Sequence, residues 1–167
     1  MLAKGTVLKN TNKIGDITAA KILVECLNND IEVFLPFGDG YKVDQIWIYK
    51  KSVYRVQIKT SRKIKDKDGI VFNCYSVSNG VKKRYTEDSI DLFATYWDGQ
   101  IYLVPVKNCP LEVKLWFNTK NQEIDKIRLA KDYTFSKYFG ETNIVKSVAH
   151  IKVFQIILLV TFVLKET

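Results

Sequence analysis

The chain has one histidine, one methionine, three prolines and three cysteines in 167 residues. Each scarcity excludes something. A lone histidine, His150, with Cys26, Cys74 and Cys109 in no Cys-x-x-Cys pair, supplies no common zinc spacing. It also leaves no partner from which to build a histidine-based acid–base pair. An odd number of cysteines argues against a disulfide framework and suits a reducing cytoplasm. No apolar signal core follows Met1-Leu2-Ala3-Lys4-Gly5. The apolar run Ile156 to Leu164 is far shorter than the ~20 residues needed to span a bilayer. It reads as a buried strand or helix, and no membrane partner is expected.

What is present is positive charge and apolar bulk. Lys and Arg number 26 against 18 Asp and Glu, a net charge of +8. That balance favours a polyanionic partner, nucleic acid first. An apolar fraction of 47% and an aromatic fraction of 13% exclude a disordered chain. The length suits a single domain over 1–167, with a core over 13–106 and a C-terminal extension over 107–167 for core packing or oligomerisation.

Apolar spacing predicts a helix from Ile14 to Leu27, with a cap at Thr11 or Asn12, ended by Asn28-Asn29-Asp30. Its stripe would be Ile14, Ile17, Ala20, Ile22, Leu23, Val24 and Leu27. Strands are predicted over Ile31–Phe37, Val43–Tyr49, Val53–Lys59, Ile70–Val77, Leu92–Tyr96, Ile101–Val106 and Val113–Phe117. Lys50-Lys51-Ser52 reads as a hairpin loop, Ser61–Gly69 as a charged loop and Asn79-Gly80 as a turn. One helix followed by many strands indicates an α+β or mixed α/β domain around a central sheet. The aromatic residues Trp116, Phe117, Tyr133, Phe135, Tyr138 and Phe139 read as core or subunit interface.

Two short stretches carry the chemistry. Tyr41-Lys42-Val43-Asp44-Gln45-Ile46 sets one carboxylate on an apolar run. Val56-Gln57-Ile58-Lys59-Thr60 sets an amide and an ammonium two residues apart. In a strand, side chains at i and i+2 share a face, so Gln57 and Lys59 point the same way. If the two runs pair as a hairpin, Asp44 meets them. A carboxylate, a neutral oxygen ligand and a lysine suit a magnesium ion and a phosphate. Taken alone, an Asp near a strand end and a Gln-x-Lys are more often solvated surface residues than a site.

Several blocks surround these stretches in order. They are Lys13-Ile14-Gly15-Asp16, Val33-Phe34-Leu35-Pro36-Phe37-Gly38-Asp39, Val43-Asp44, Tyr54-Arg55-Val56-Gln57-Ile58-Lys59-Thr60 and Tyr85. Ile90-Asp91-Leu92-Phe93-Ala94, Ile101-Tyr102-Leu103-Val104-Pro105-Val106, Asn121-Gln122 and Arg128-Leu129-Ala130-Lys131-Asp132-Tyr133 follow. Over roughly residues 13–135 the chain resembles the PD-(D/E)XK nuclease superfamily. Within it, the chain is similar to the intron-encoded homing endonucleases of cyanobacteria. The resemblance implies a restriction-endonuclease-like core, with helices packed on a central mixed sheet. It implies a catalytic set of Asp44, Gln57 and Lys59, and magnesium or manganese bound by Asp44 and Gln57. Gln57 stands where most of the superfamily carries Glu, and this branch uses Gln there.

One position departs from the pattern. The family's acid on the first helix falls at Ala19 here. Three readings stay open: Asp16 takes the role as a metal ligand, the enzyme is weakened, or a Glu has been exchanged for Ala to trap uncut DNA.

The partner implied is double-stranded DNA. Candidate contacts are Arg62, Lys63 and Lys65 after Lys59, Lys82, Lys83 and Arg84 after Asn79-Gly80, and Tyr75. Outside a nuclease context these basic runs are equally well read as solvated surface. A chain this small reads a long site by repetition, which implies a homo-oligomer, a dimer or a tetramer. Two other functions remain open on the sequence. One is a Holliday-junction or restriction-type nuclease; the other is an inactive DNA-binding module.

Overall fold

A computed structural model describes residues 11–38, 40–107, 109–118 and 128–140. The expectations at Asp39, Asn121-Gln122, His150 and Ile156–Leu164 lie outside the described residues.

The first helix, α1, runs Thr11–Asn28, so Thr11 and Asn12 are helical rather than capping. It ends where Asp30 turns to a φ of 55° and the Ile31 amide returns to the Cys26 carbonyl at 3.0 Å. The buried side is Thr18, Ile22 and Cys26, with Ala19 partly covered. This corrects the predicted stripe. Ile17, Val24 and Leu27 lie on the opposite side, 47%, 55% and 58% exposed. The helix carries two apolar stripes, and periodicity does not say which one meets the sheet.

Ten strands follow: β1 (Glu32–Phe34), β2 (Gln45–Tyr49), β3 (Ser52–Ile58), β4 (Arg62–Lys63), β5 (Gly69–Asn73), β6 (Tyr75–Ser78), β7 (Val81–Arg84), β8 (Leu92–Trp97), β9 (Gln100–Pro105) and β10 (Glu112–Trp116). A 3-10 turn at Ala130–Tyr133 and helix α2 (Phe135–Phe139) complete the described chain. The main sheet has the order β1-β2-β3-β8-β9. Its β3–β8 pair is parallel and the others antiparallel, so the sheet is mixed. A second sheet is ordered β10-β5-β4, and β6 and β7 form a separate two-stranded ribbon.

Side-chain alternation feeds two cores from the main sheet. Val56, Ile58, Leu92, Ala94, Ile101 and Leu103 meet α1 and α2 on one face. Phe93, Tyr102 and Val104 meet Phe72, Val113 and Leu115 of the second sheet on the other. The C-terminal aromatics enter the first core: Phe139 packs edge-on against Tyr49 at 4.9 Å and Tyr54 at 5.3 Å.

Three predicted elements changed. The run Ile70–Val77 is two strands that divide at Cys74: β5 pairs with β10, a ladder the Cys74 amide extends to the Leu111 carbonyl at 2.8 Å, whereas β6 pairs with β7. The charged loop after Ser61 contains β4, paired with β5. The predicted strand Ile31–Phe37 shrinks to β1, because Pro36 has no amide to donate and the chain turns away at Gly38, φ 90°.

Candidate active site

The β2–β3 hairpin sets the site. Its turn residues Lys50 and Lys51 both take positive φ, 47° and 68°, as a tight two-residue hairpin requires. That turn pairs Tyr49 with Ser52 and Gln45 with Val56. One step beyond, the Asp44 amide bonds the Val56 carbonyl at 2.9 Å, which brings Asp44 opposite Gln57.

Asp44 and Gln57 touch. The Gln57 Nε2 donates to Asp44 Oδ2, and the Ile58 amide donates to the same oxygen at 2.7 Å. The Gln57 Oε1 is buried and has no hydrogen-bond partner. A buried carbonyl oxygen without a donor is costly unless something electropositive meets it. Burial pushes the Asp44 carboxyl above its usual range, against the Ile58 amide, the Lys59 charge and the Gln57 amide, which pull it down. Burial also lowers the Lys59 ammonium, against the pull of Asp44 and Cys74. Both charged forms are therefore held at a cost that a cation beside Asp44 and an anion beside Lys59 would relieve.

The Lys59 ammonium does not bond Asp44 here. It donates to the Tyr75 carbonyl and the Tyr85 hydroxyl, each at 3.4 Å, and lies 4.8 Å from the centre of the Tyr85 ring. Burial raises the Tyr85 phenol to about 12, helped by the Asp44 charge and opposed by a hydrogen bond with Ser76. Tyr85 is thus a neutral phenol near neutral pH.

A cavity of about 730 Å³ opens beside Asp44, lined by Asp16 and Ala19 of α1, Pro36, Tyr41 and Thr60. Thr18 ties α1 to the end of β3, with its Oγ1 3.3 Å from that of Thr60. The structure therefore brings Asp16, Ala19 and Asp44 to one cavity. Among the described residues, no three His, Cys, Asp or Glu side chains gather closely enough to hold a metal ion. The oxygen donors available are the Asp44 and Asp16 carboxylates, which line the cavity, and the Gln57 amide oxygen beside Asp44, which like Lys59 does not line it. Those are hard oxygen donors that fit magnesium, which keeps several waters and needs few protein carboxylates.

The candidate DNA contacts divide into two groups. Tyr75, Lys82, Lys83 and Arg84 stand on the β6–β7 ribbon, where Tyr75 faces Arg84 and Ser76 faces Lys83. Lys82 and Tyr75 share a face, with the ammonium 4.7 Å from the ring centre. Arg62 and Lys63 form β4, and Lys65 lies in the turn after it. Arg62 is engaged with Glu112 at 2.9 Å.

Sequence reasoning did not assign Tyr85 to the site, although it directly follows Lys82-Lys83-Arg84. It also missed the brace behind the hairpin. Arg55 bonds Asp91 at 2.8 Å and the Asp88 and Glu87 carbonyls at 2.5 Å each, which fastens the parallel β3–β8 join. An Arg and an Asp far apart in sequence give no local signal of pairing.

The mixed five-stranded sheet with its packed helices is an α+β fold of the PD-(D/E)XK nuclease kind. A family model described as PD-(D/E)XK endonuclease matches residues 9–136, and the chain belongs to that family. It is an endonuclease of a family that typically uses divalent metal ions, and DNA is the substrate class the family implies. Among solved structures, the chain is similar to a bacterial homing endonuclease, I-Ssp6803I. The TM-score is 0.65 at 20% identity, over 84% of this chain and 97% of that one, so the likeness is one of fold. No curated protein matches the chain. Among the described residues, no helix is long and apolar enough to cross a membrane.

Proposed function

We propose that this endonuclease is a site-specific homing enzyme that hydrolyses double-stranded DNA with a bound magnesium or manganese ion. The observation that carries the reading is the Asp44–Gln57 contact, with a buried, unpartnered Gln57 Oε1, on the same strand face as Lys59. Asp44 and Gln57 would hold the ion, with Asp16 reaching it across the cavity. The ion supplies charge neutralisation and a more acidic water. Gln57 contributes no charge, so the site binds the ion more weakly than an Asp–Glu pair would.

Lys59 stabilises charge on the phosphate or takes the proton of the attacking water. Its burial favours the neutral amine and so suits the second role. The β6–β7 ribbon is narrow enough for the ~12 Å major groove, where Tyr75, Lys82, Lys83 and Arg84 would meet bases and phosphates. Lys63 and Lys65 lie on the segment after Lys59 and would hold the backbone near the cut, with Arg62 joining them on leaving Glu112. The exposed Ile17, Val24 and Leu27 stripe of α1 supports self-association, as does the need to read a long site by repetition. Residues 13–106 form the catalytic core in this reading, and 107–167 the extension. The protein would act in the cytoplasm.

Ala19 supports a second reading. A small apolar side chain lines the cavity on the helix face nearest Asp44, where a further ligand would strengthen the site. An inactive DNA-binding module would tolerate that loss. Cleavage of a randomised duplex pool in magnesium and in manganese separates the two. A recovered cut sequence is expected, and Lys59→Ala should reduce cutting by about 10²–10⁴-fold with binding within a few-fold. No cutting with either ion, alongside sequence-selective binding, establishes the module instead. Preferential cutting of four-way junctions over linear duplex would point to a junction resolvase.

A further inference from the structure

Lys59 rests on the ribbon rather than on the carboxylate it would work beside. Its two hydrogen-bond partners are the two feet of that ribbon. Tyr75 opens β6, and Tyr85 directly follows β7. The ammonium donates to the Tyr75 carbonyl and the Tyr85 hydroxyl at 3.4 Å each. Those contacts are at the long end for hydrogen bonds, so they hold the lysine weakly.

Tyr85 is anchored in the opposite direction. Its ring packs edge-on against Phe93 at 5.4 Å, and Phe93 is the β8 partner of Gln57. The Ser76 side chain, on the first strand of the ribbon, also faces its hydroxyl. One side chain therefore touches the ribbon, the lysine and the sheet beneath Gln57. The other titratable groups facing Lys59 are Asp44, just ahead of β2, and Cys74, between β5 and β6. The β6–β7 pair bonds no third strand among the described residues, so only its feet transmit its position.

We propose that Tyr85 is a positioning residue that couples the ribbon to Lys59. Seating the ribbon on the right DNA sequence moves the ammonium from Tyr75 and Tyr85 toward the reacting phosphate. This rests on the nuclease reading and adds a source of specificity to it. A wrong sequence leaves the ribbon unseated and the lysine parked, so binding and cutting discriminate separately.

The geometry offers a direct readout. The end of Lys59 lies over an aromatic ring, so its terminal methylene protons are shifted by the ring current. In NMR of protein carrying ¹³C-labelled lysine, the Lys59 signal is identified by its loss in Lys59→Arg. Tyr85→Leu should return it to an ordinary position, and Tyr85→Phe should keep most of the shift. Adding a duplex recovered by cleavage selection, without divalent ion, should move the wild-type signal toward the ordinary position. The same duplex with one base pair changed under the ribbon should not. In single-turnover cleavage, Tyr85→Phe should narrow the rate ratio between the two duplexes several-fold, with its binding to each unchanged. A signal indifferent to Tyr85→Leu or to the selected duplex overturns the coupling, as does full discrimination by Tyr85→Phe. A chain that cuts no DNA overturns the nuclease reading instead, and the ring-current comparison on free protein tests the Tyr85 contact regardless.

Discussion

Gln57→Glu tests the core of the site, because it changes one donor atom and adds one charge. In the native chain the Gln57 Nε2 donates to Asp44 Oδ2. The variant replaces that donor with a carboxylate oxygen. The lost bond to a charged group is worth about 1.5–3 kcal/mol. Two unit charges about 4 Å apart repel by about 4 kcal/mol at the effective dielectric of such sites. The full sum is not reached, because the pair takes up a proton at about 1.4 kcal/mol for each pK unit. A net loss of about 2–4 kcal/mol above neutral pH remains, and it corresponds to a fall in Tm of roughly 5–15 °C for a chain of this size.

The pH dependence has a definite sign. The paired carboxyl titrates higher in the folded than in the unfolded state, so the folded protein binds the extra proton. Stability is therefore lost as pH rises above the unfolded glutamate value of about 4.3, and the deficit closes on acidification. Magnesium should close it too, because the second carboxylate binds the ion and only the folded chain presents the pair. Calorimetry of both proteins near pH 5 and near pH 8, with EDTA or millimolar magnesium, measures all of this. Equal melting of the two proteins near pH 8 in EDTA, with no gain from magnesium, would refute the reasoning.

Three further changes probe the surrounding structure. Ala19→Glu adds a carboxylate to the cavity that holds Asp44 and Asp16, and should tighten magnesium binding about tenfold by titration calorimetry, or roughly 1.4 kcal/mol; unchanged affinity would place residue 19 outside the ion's reach. Arg55 holds the Asp91 carboxyl below its usual range, so this pair's contribution is present above the unfolded aspartate value and is lost as pH falls through the folded one. Asp91→Asn should cost about 1–2 kcal/mol in urea unfolding at neutral pH and flatten the acid limb of the stability curve. Gly69→Ala would set a Cβ 2.7 Å from the Leu115 carbonyl and 3.0 Å from the Trp116 ring. The backbone cannot yield cheaply, so a loss of about 1–3 kcal/mol is expected by the same unfolding measurement.

Strand content was legible because β8 and β9 are short continuous runs of β-forming apolar residues, buried on both faces between the helices and the second sheet. Strand ends were less so. The break at Cys74 comes from a change of partner, since β5 pairs with β10, remote in sequence, and β6 with β7. The buried face of α1 was misread for a related reason, since Ile17, Val24 and Leu27 repeat as regularly as the residues that meet the sheet.

By itself the sequence determined that Gln57 and Lys59 share a face, since side chains in any strand alternate. It also placed a hairpin loop after Tyr49, but over three residues, Lys50-Lys51-Ser52. The structure pairs Ser52 with Tyr49, and that two-residue turn is what sets Asp44 opposite Gln57 rather than Ile58. Only the tertiary structure decided where those side chains end. It tied the Gln57 amide to Asp44 and left the Gln57 carbonyl oxygen buried without a donor. It also turned the Lys59 ammonium toward Tyr75 and Tyr85 and opened the cavity between Ala19 and Asp44. These depend on how α1, the ribbon and two sheets meet, and such contacts have no local signature along the chain.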